Sequence, residues 1–502
     1  MKKISSLCFV LFVVISNNVQ AQTLEEIVRY STEQLNGSAR YQAMGGAFGA
    51  LGGDLSSLTN NPAASSVFSY NEAGISMAVT SNKLNANYLN GSSSTDDSNF
   101  DVNQLGFVLV FSSPASKWDK LAFGFNAQTQ NNFNKNLYAR GDNFNSGLED
   151  YFLQNASGIP YDTFDFNNYV DNEYAYLGAN NGFAAQQAYL GLYAGAIYYN
   201  DVNNEYVADG FVLDGIDQIH QRSAQGGQQL YTLNFSGRYM KKLTLGLNIN
   251  IHSIDYSEYR ATQDNYLDNN SPLQKANFTQ DLNTFGTGVS FQLGALYKAS
   301  DILRLGFSLT SPTYYELEDE YTQSLEVYYL EGDTVKRGFI NPNVINVVGP
   351  YNVKTAGKAQ ASMALVLGKA GLLSFDYGVK DYASATVDLR DGSDSSFVNN
   401  DINSSLTSSS YFRLGGEGRM GDISFRAGYW MEQSPYQNSQ MLDDLSGFSL
   451  GLGVRFGTGS IDLAYTKTNQ NYRNQLYYKG LTESVAVDQN TGLFSLTYNI
   501  RF

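Results

Sequence analysis

The stretch Leu493 to Phe502 reads L-F-S-L-T-Y-N-I-R-F, and it restricts the possible folds more than any other part of the chain. In an extended strand, side chains point alternately to the two faces. Phe494, Leu496, Tyr498, Ile500 and Phe502 therefore share one face, and Ser495, Thr497, Asn499 and Arg501 share the other. A strand apolar on one side and polar on the other is what a transmembrane β-barrel presents, with lipid outside and water inside. Taken alone, the same strand would also serve as a half-buried edge of a soluble sandwich.

The rest of the chain favours the barrel. From Ala73 onward the period-2 pattern returns, with strands expected near 73–80, 103–112, 120–130, 228–240, 242–255, 285–297 and 301–311. A second set is expected near 356–367, 371–382, 409–419, 421–432, 446–457, 459–468 and 491–502. In 242–255, Leu243, Leu245, Leu247, Ile249 and Ile251 alternate with Thr244, Gly246, Asn248, Asn250 and His252. The expected fold is all-β, an antiparallel barrel of roughly fourteen strands, an even number as bacterial barrels require. Short links at 112–119, 298–300 and 368–370, and around Lys241, Gly421 and Gly457 to Gly459, alternate with long ones. The long ones are 81–102, 131–227, 256–284, 312–355, 383–408, 433–445 and 469–490. Outer-membrane barrels sort their connections this way, and a soluble sandwich has no reason to.

Composition narrows the class further. Lys2 and Lys3, the apolar run Leu7 to Ile15, and Val19-Gln20-Ala21 fit a secretory signal peptide over 1–21, the run being too short to span a bilayer. The sole cysteine, Cys8, falls inside that segment, so a disulfide framework or thiolate metal site in the mature chain is excluded. A formal charge of −16 argues against a nucleic-acid partner, whose phosphates need Lys and Arg. With 47 Gly, 37 Tyr and 30 Phe against 8 Pro, the chain suits many strands with aromatic girdles.

Two regions stand outside the strand pattern. One is 22–70, before the first strand. The other is 131–227, read as a long extracellular loop within the barrel region 71–502. Gly141 to Gln221 holds no Lys or Arg but many acids, among them Asp142, Glu149, Asp150 and Asp214. Within it Phe183 to Tyr199 is apolar and aromatic, with helical spacing through Phe183, Leu190, Tyr193 and Ile197. Phe183, Tyr189, Leu190, Tyr193 and Ile197 are the expected contacts for a greasy ligand at the mouth. The alternative is a self-packed surface loop.

The segment N-G-S-A-R-Y-Q-A-M-G-G-A-F-G-A over 36–50, then Leu51-Gly52-Gly53-Asp54 and Asn61-Pro62-Ala63, resembles the N-terminal hatch of the FadL/TodX outer-membrane transport family. The resemblance covers about residues 36–64 and the final strand, and the chain reads as a Bacteroidetes-type member. It implies a barrel in the outer membrane of a Gram-negative bacterium, plugged by residues 22–70. Hydrophobic molecules such as long-chain fatty acids would pass through it by diffusion, without enzymatic activity or cofactor. Arg40, Gly45, Gly46, Asp54, Asn61, Pro62 and Ala63 are the matched hatch residues. The final strand, ending in Phe502, resembles the sorting signal read by the barrel-assembly machinery. The partners implied are a hydrophobic ligand, outer-membrane lipids and that machinery. The alternative is a scaffold or shuttle barrel of a protein secretion or surface-attachment system.

Sites of catalysis are scarce. Gly447-Phe448-Ser449-Leu450-Gly451 spells G-x-S-x-G, but that motif needs a strand-to-helix turn and Ser449 falls in mid-strand. His220 and His252 are the only histidines, too few for a multi-histidine zinc site. No catalytic or metal residue is assigned. Arg238, Arg304, Arg413, Arg426 and Arg455 face inward, where they meet either a ligand carboxylate or the hatch, or pair with lumen acids such as Asp376 and Asp462.

Overall fold

The computed structural model describes residues 20–208, 210, 214–390 and 395–502. The expected signal peptide lies outside them up to residue 19. A closed antiparallel barrel of fourteen strands accounts for most of the chain. The first seven are β1 (Glu72–Tyr88), β2 (Gly91–Ser112), β3 (Trp118–Asn132), β4 (Ile216–Tyr239), β5 (Leu243–Tyr266), β6 (Leu273–Lys298) and β7 (Leu303–Thr310). The others are β8 (Lys358–Val366), β9 (Gly371–Asp381), β10 (Ser408–Met420), β11 (Ile423–Glu432), β12 (Leu445–Phe456), β13 (Gly459–Gln475) and β14 (Ser484–Arg501). Each pairs with the next, and β14 returns to β1 in register from Glu72↔Arg501 to Asn87↔Ala486. That last ladder leaves the barrel without a free edge, which is what a sheet in hydrocarbon requires.

The burial pattern is inverted relative to a water-soluble protein. On β5, Leu245, Leu247 and Ile251 are 39–44% exposed on the outside, while Thr244, Asn248 and His252 are at most 4% exposed inside. On β12, Phe448, Leu450, Leu452, Val454 and Phe456 all face outward and exposed. Apolar side chains exposed in such bands are satisfied only by lipid. No helix among the described residues is long and apolar enough to cross a membrane.

The cores of the strands fall where the alternation put them, and the short links hold. The long connections differ. Residues 81–102, expected as a loop, are strand: β1 and β2 run on to a turn at Leu89 and Asn90. Likewise β5 and β6 occupy most of 256–284. The region 312–355 forms three further strands, Tyr314–Glu331, Thr334–Ile340 and Asn346–Lys354, the first of which continues the wall beside β6. Above the lipid both faces of a strand meet polar surroundings, so no alternation is imposed and the sequence signal fades.

A closed barrel resists denaturation by dodecyl sulfate at room temperature. The unheated protein is therefore expected to migrate faster on a gel than the boiled protein, and identical migration would contradict the closed ladder.

Candidate functional site

The N-terminal segment enters the barrel and is bolted to its inner wall. Small residues make this possible because their backbone lies close to the strands. Gly45 and Gly46 adopt φ of 60° and 73°, open to glycine at little cost. A Cβ on Gly428 of β11 would stand 2.1 Å from Gly45 N, and one on Gly246 of β5 would stand 2.3 Å from the Pro62 carbonyl carbon. Backbone therefore meets backbone, with polar lumen side chains filling in. Ala39 N donates to Thr497 Oγ1 at 2.7 Å, Gly45 N to Ser449 Oγ at 3.2 Å, and Gly49 N to Asp376 Oδ2 at 3.0 Å. From the wall, Asn234 Nδ2 donates to Pro62 O and Asn248 Nδ2 to Leu58 O, both at 2.8 Å.

The matched hatch residues occupy the joints of this plug. Arg40 bridges to Glu417 of β10 at 2.9 Å and donates to Gly53 O at 2.8 Å. The Asp54 carboxylate accepts from the Ser38 hydroxyl at 2.7 Å and from Ser56 N at 2.9 Å, closing the segment on itself. Asn61 accepts from Ala63 N at 3.1 Å, capping the 3₁₀ turn Pro62–Val67. Its amide also donates to Gly49 O at 2.7 Å and to Ala295 O of β6 at 3.1 Å.

Above the plug lies a chamber of about 370 Å³. Helix α1 (Gln20–Ser31) contributes Val28, and the walls contribute Leu84, Phe133, Tyr256, Trp430 and Leu442. Charges line it as well. Glu25 pairs with Arg29 at 2.9 Å and with Arg222, whereas Lys135 and Arg473 join no ion pair among the described residues. Lys135 Nζ donates to Gln489 Oε1 at 3.0 Å and lies 5.8 Å from the Tyr472 ring centre.

One side of the chamber meets a seam in the wall. β2 and β3 pair from Ser112↔Lys120 only as far as Gln104↔Gln128. Beyond that, β3 shifts register between Thr129 and Asn131, and Lys135–Asn143 continues along β4 instead. Side chains alone span the gap: Thr129 Oγ1 to Asp101 Oδ2 at 3.0 Å, and Thr95 Oγ1 to Asn136 O at 2.5 Å. The plug is tied to the same bulge, with Gln34 N donating to Asn131 Oδ1 at 2.9 Å and Asn131 Nδ2 to Thr32 O at 2.8 Å. The sequence reading did not single out Gln130 or Asn131. Their signal was present as the amide-rich run Gln128 to Asn136, where the period-2 pattern breaks at Phe133.

The outer mouth is covered by a helical cap of α2 (Leu148–Ala156), α3 (Val170–Asn180) and α4 (Phe183–Ala194). The apolar run 183–199 thus begins as a helix, and that helix is apolar all round because it is packed on several sides. Tyr189, Leu190 and Ile197 are at most 1% exposed within the cap core, and Phe183 packs against Tyr321 with ring centres 6.1 Å apart. Only Tyr193, 42% exposed, presents surface. These residues therefore hold the cap together, and the chamber-facing apolar side chains come from α1, the strands and the connection between β11 and β12.

The remaining polar candidates are lumen groups. Ser449 is engaged by the plug, His252 bonds Gln130 at 3.1 Å and Ser290 at 3.0 Å, and His220 bonds Thr262 at 3.0 Å.

No protein-family profile and no curated protein matches this sequence. Solved structures do match. A FadL homologue from Pseudomonas aeruginosa aligns with a TM-score of 0.55 at 14% identity, over 94% of this chain and 100% of that one. The toluene transporter TodX from Pseudomonas putida aligns with a TM-score of 0.51 at 13% identity, over 94% and 100%. The chain thus has the fold of the FadL/TodX barrels, a closed fourteen-stranded wall with an N-terminal helical and loop segment.

Two outcomes follow from this geometry. Gly246→Val would drive a side chain into the Pro62 backbone at a cost of about 1–3 kcal/mol. The plug is expected to shift while the barrel persists, raising single-channel conductance in a planar bilayer severalfold with the heat-modifiable band retained. The second concerns Glu149 of α2, buried within the cap, where it accepts from the Tyr266 hydroxyl. Burial, with Asp264 beside it, pushes its carboxyl up to about 8 from 4.5. The folded cap holds this proton more tightly than the unfolded chain does, so its stabilising effect is complete below about pH 4.5 and lost as pH rises through 8. Hydrogen exchange of 144–208, corrected for intrinsic rate, is expected to be roughly tenfold faster at pH 9 than at pH 5. Glu149→Gln should flatten that dependence.

Proposed function

We propose that this chain is a channel in the outer membrane of a Gram-negative bacterium, through which hydrophobic small molecules enter passively. Residues 1–21 act as the export signal, 22–70 as the hatch and 71–502 as the barrel. The observation that carries this reading is the chamber above the plug, which has an apolar lining and touches the seam where backbone pairing between β2 and β3 stops. A molecule that enters beneath the cap is desolvated against Val28, Leu84, Phe133 and Leu442. Burying apolar area contributes about 25 cal/mol per Å², enough to hold a greasy solute without specific bonds. The way through the plug is barred by the bolts described above. The seam offers a shorter exit, sideways into lipid, which costs an apolar molecule little. Separating side-chain bridges is cheaper than breaking a continuous backbone ladder, because each neutral hydrogen bond is worth only about 1 kcal/mol net.

Within this class, long-chain fatty acids suit the chamber better than neutral hydrocarbons. Lys135 brings a positive charge with no ion-pair partner among the described residues into a partly desolvated space, where a ligand carboxylate would gain a charge-assisted bond. The solved barrels of similar fold include a toluene transporter, which supports hydrophobic cargo for the architecture. The inner wall, the plug and the cap each have structural roles for the residues first singled out, which supports a transport reading over catalysis.

The test is uptake of a radiolabelled long-chain fatty acid by cells with and without the protein, beside toluene. Expression is expected to raise the fatty-acid rate severalfold, and Lys135→Gln to lower it by about threefold to tenfold while sparing toluene. Equal uptake in the two strains would sink the proposal.

A further inference from the structure

Four of the five inward arginines have partners. Arg238 pairs with Asp119 at 2.8 Å, Arg304 donates to Leu51 O at 3.0 Å, and Arg413 donates to the Tyr41 hydroxyl at 2.9 Å. Arg426 bridges Glu417 and Asp462, each at 2.7 Å. Arg455 is different: no ion pair or side-chain hydrogen bond involves it among the described residues.

Its setting follows from the strand register. Arg455 of β12 is opposite Ser460 of β13, and Ser460 is opposite Asn499 of β14. The three therefore form one cross-strand row, about 10 Å from end to end at a strand spacing of about 4.8 Å. Their neighbours Val454, Phe456, Ile461, Tyr498 and Ile500 are 40–48% exposed on the lipid side, so the row faces inward. There it lines a second cavity of about 370 Å³, on the turn side of the plug, together with Arg419, Arg426 and Arg501.

Charge in this cavity is unbalanced. Glu417 already receives Arg40 at 2.9 Å, Arg419 at 2.5 Å and Arg426 at 2.7 Å. Asp462 is taken by Arg426, Glu72 by Arg501 at 3.0 Å, and Asp54 by Ser38 and Ser56. No lining carboxylate is left for Arg455, and neither the Ser460 hydroxyl nor the Asn499 amide forms a side-chain hydrogen bond among the described residues. A guanidinium fork at one end of a row that continues through a hydroxyl to an amide offers the donors that a carboxylate or phosphate group accepts from.

We propose that Arg455, Ser460 and Asn499 form an oxyanion-binding site on the turn side of the plug, separate from the outer chamber. Arg455 binds the anion through its fork, and Ser460 Oγ–H and Asn499 Nδ2–H donate beside it. The occupant is either the carboxylate head of an amphiphile or free phosphate. The site does not depend on the outer chamber's ligand, so the uptake experiment and this proposal fail independently.

The test is calorimetric titration of the full-length barrel in a nonionic maltoside detergent with sodium decanoate, inorganic phosphate or decanol. Arg455→Gln is expected to weaken anion binding about tenfold, and Ser460→Ala less. Lys135→Gln should leave phosphate binding unchanged, which separates this site from the outer chamber. Decanol binding should be insensitive to Arg455→Gln. Loss confined to decanoate identifies an amphiphile's carboxylate as the occupant. Loss that includes phosphate identifies a site open to the free ion. Absence of anion binding, or equal affinities in wild type and Arg455→Gln with both bands heat-modifiable, overturns the proposal.

Discussion

The ladder between β1 and β14 is the interaction on which everything else depends. At lipid depth no water is available to pair a stray backbone N–H or C=O, and each unpaired group would cost several kcal/mol. Closing the sheet from Glu72↔Arg501 to Asn87↔Ala486 removes both edges at once. Once closed, the wall has one face in hydrocarbon and one in a lumen, and this inverts the usual arrangement of residues. Leu, Ile and Phe cover the outside, while Asn, Gln, Ser and Thr are buried inside.

That polar lumen explains the manner in which the plug is held. An apolar core would grip a segment through shape, with no counterpart to release. Here the grip is largely a set of single hydrogen bonds, such as Asn248 to Leu58 O and Asn234 to Pro62 O, added to close backbone contact at glycines. Each is worth about 1 kcal/mol net, so the plug is stable as a whole yet yields locally. The charged joint Arg40–Glu417 is the stronger fixture, because Glu417 is buried and shared by three guanidinium groups.

Cap, chamber and seam form a second system, built where the lipid constraint has lapsed. The cap helices share one core with the strand extensions, with Phe152, Tyr189 and Leu190 of the cap and Phe278 of β6 fully buried. The chamber beneath it is bounded by α1 and by the strand ends. The interrupted pairing between β2 and β3 is tolerated because side-chain bridges and the plug segment near Asn131 take up the polar groups that a continuous ladder would have paired.

The sequence by itself determined the barrel, its strand cores, the side of the short turns and the segment that fills the lumen. Lipid imposes a strict alternation on every crossing, and close backbone approach demands small residues, so both constraints are written locally. Arg40, Asp54 and Asn61 stood out only through the family resemblance of 36–64, because no local constraint singles out a lone arginine, aspartate or asparagine. Tertiary structure alone decided which contacts those residues make. It also decided that Tyr189, Leu190 and Ile197 are cap core, that 81–102 is strand, that β2 and β3 part near Asn131, and that Arg455 has no side-chain partner among the described residues. Those outcomes depend on which distant strands and loops come together, and where water touches both faces of a strand the residue pattern carries no record of it.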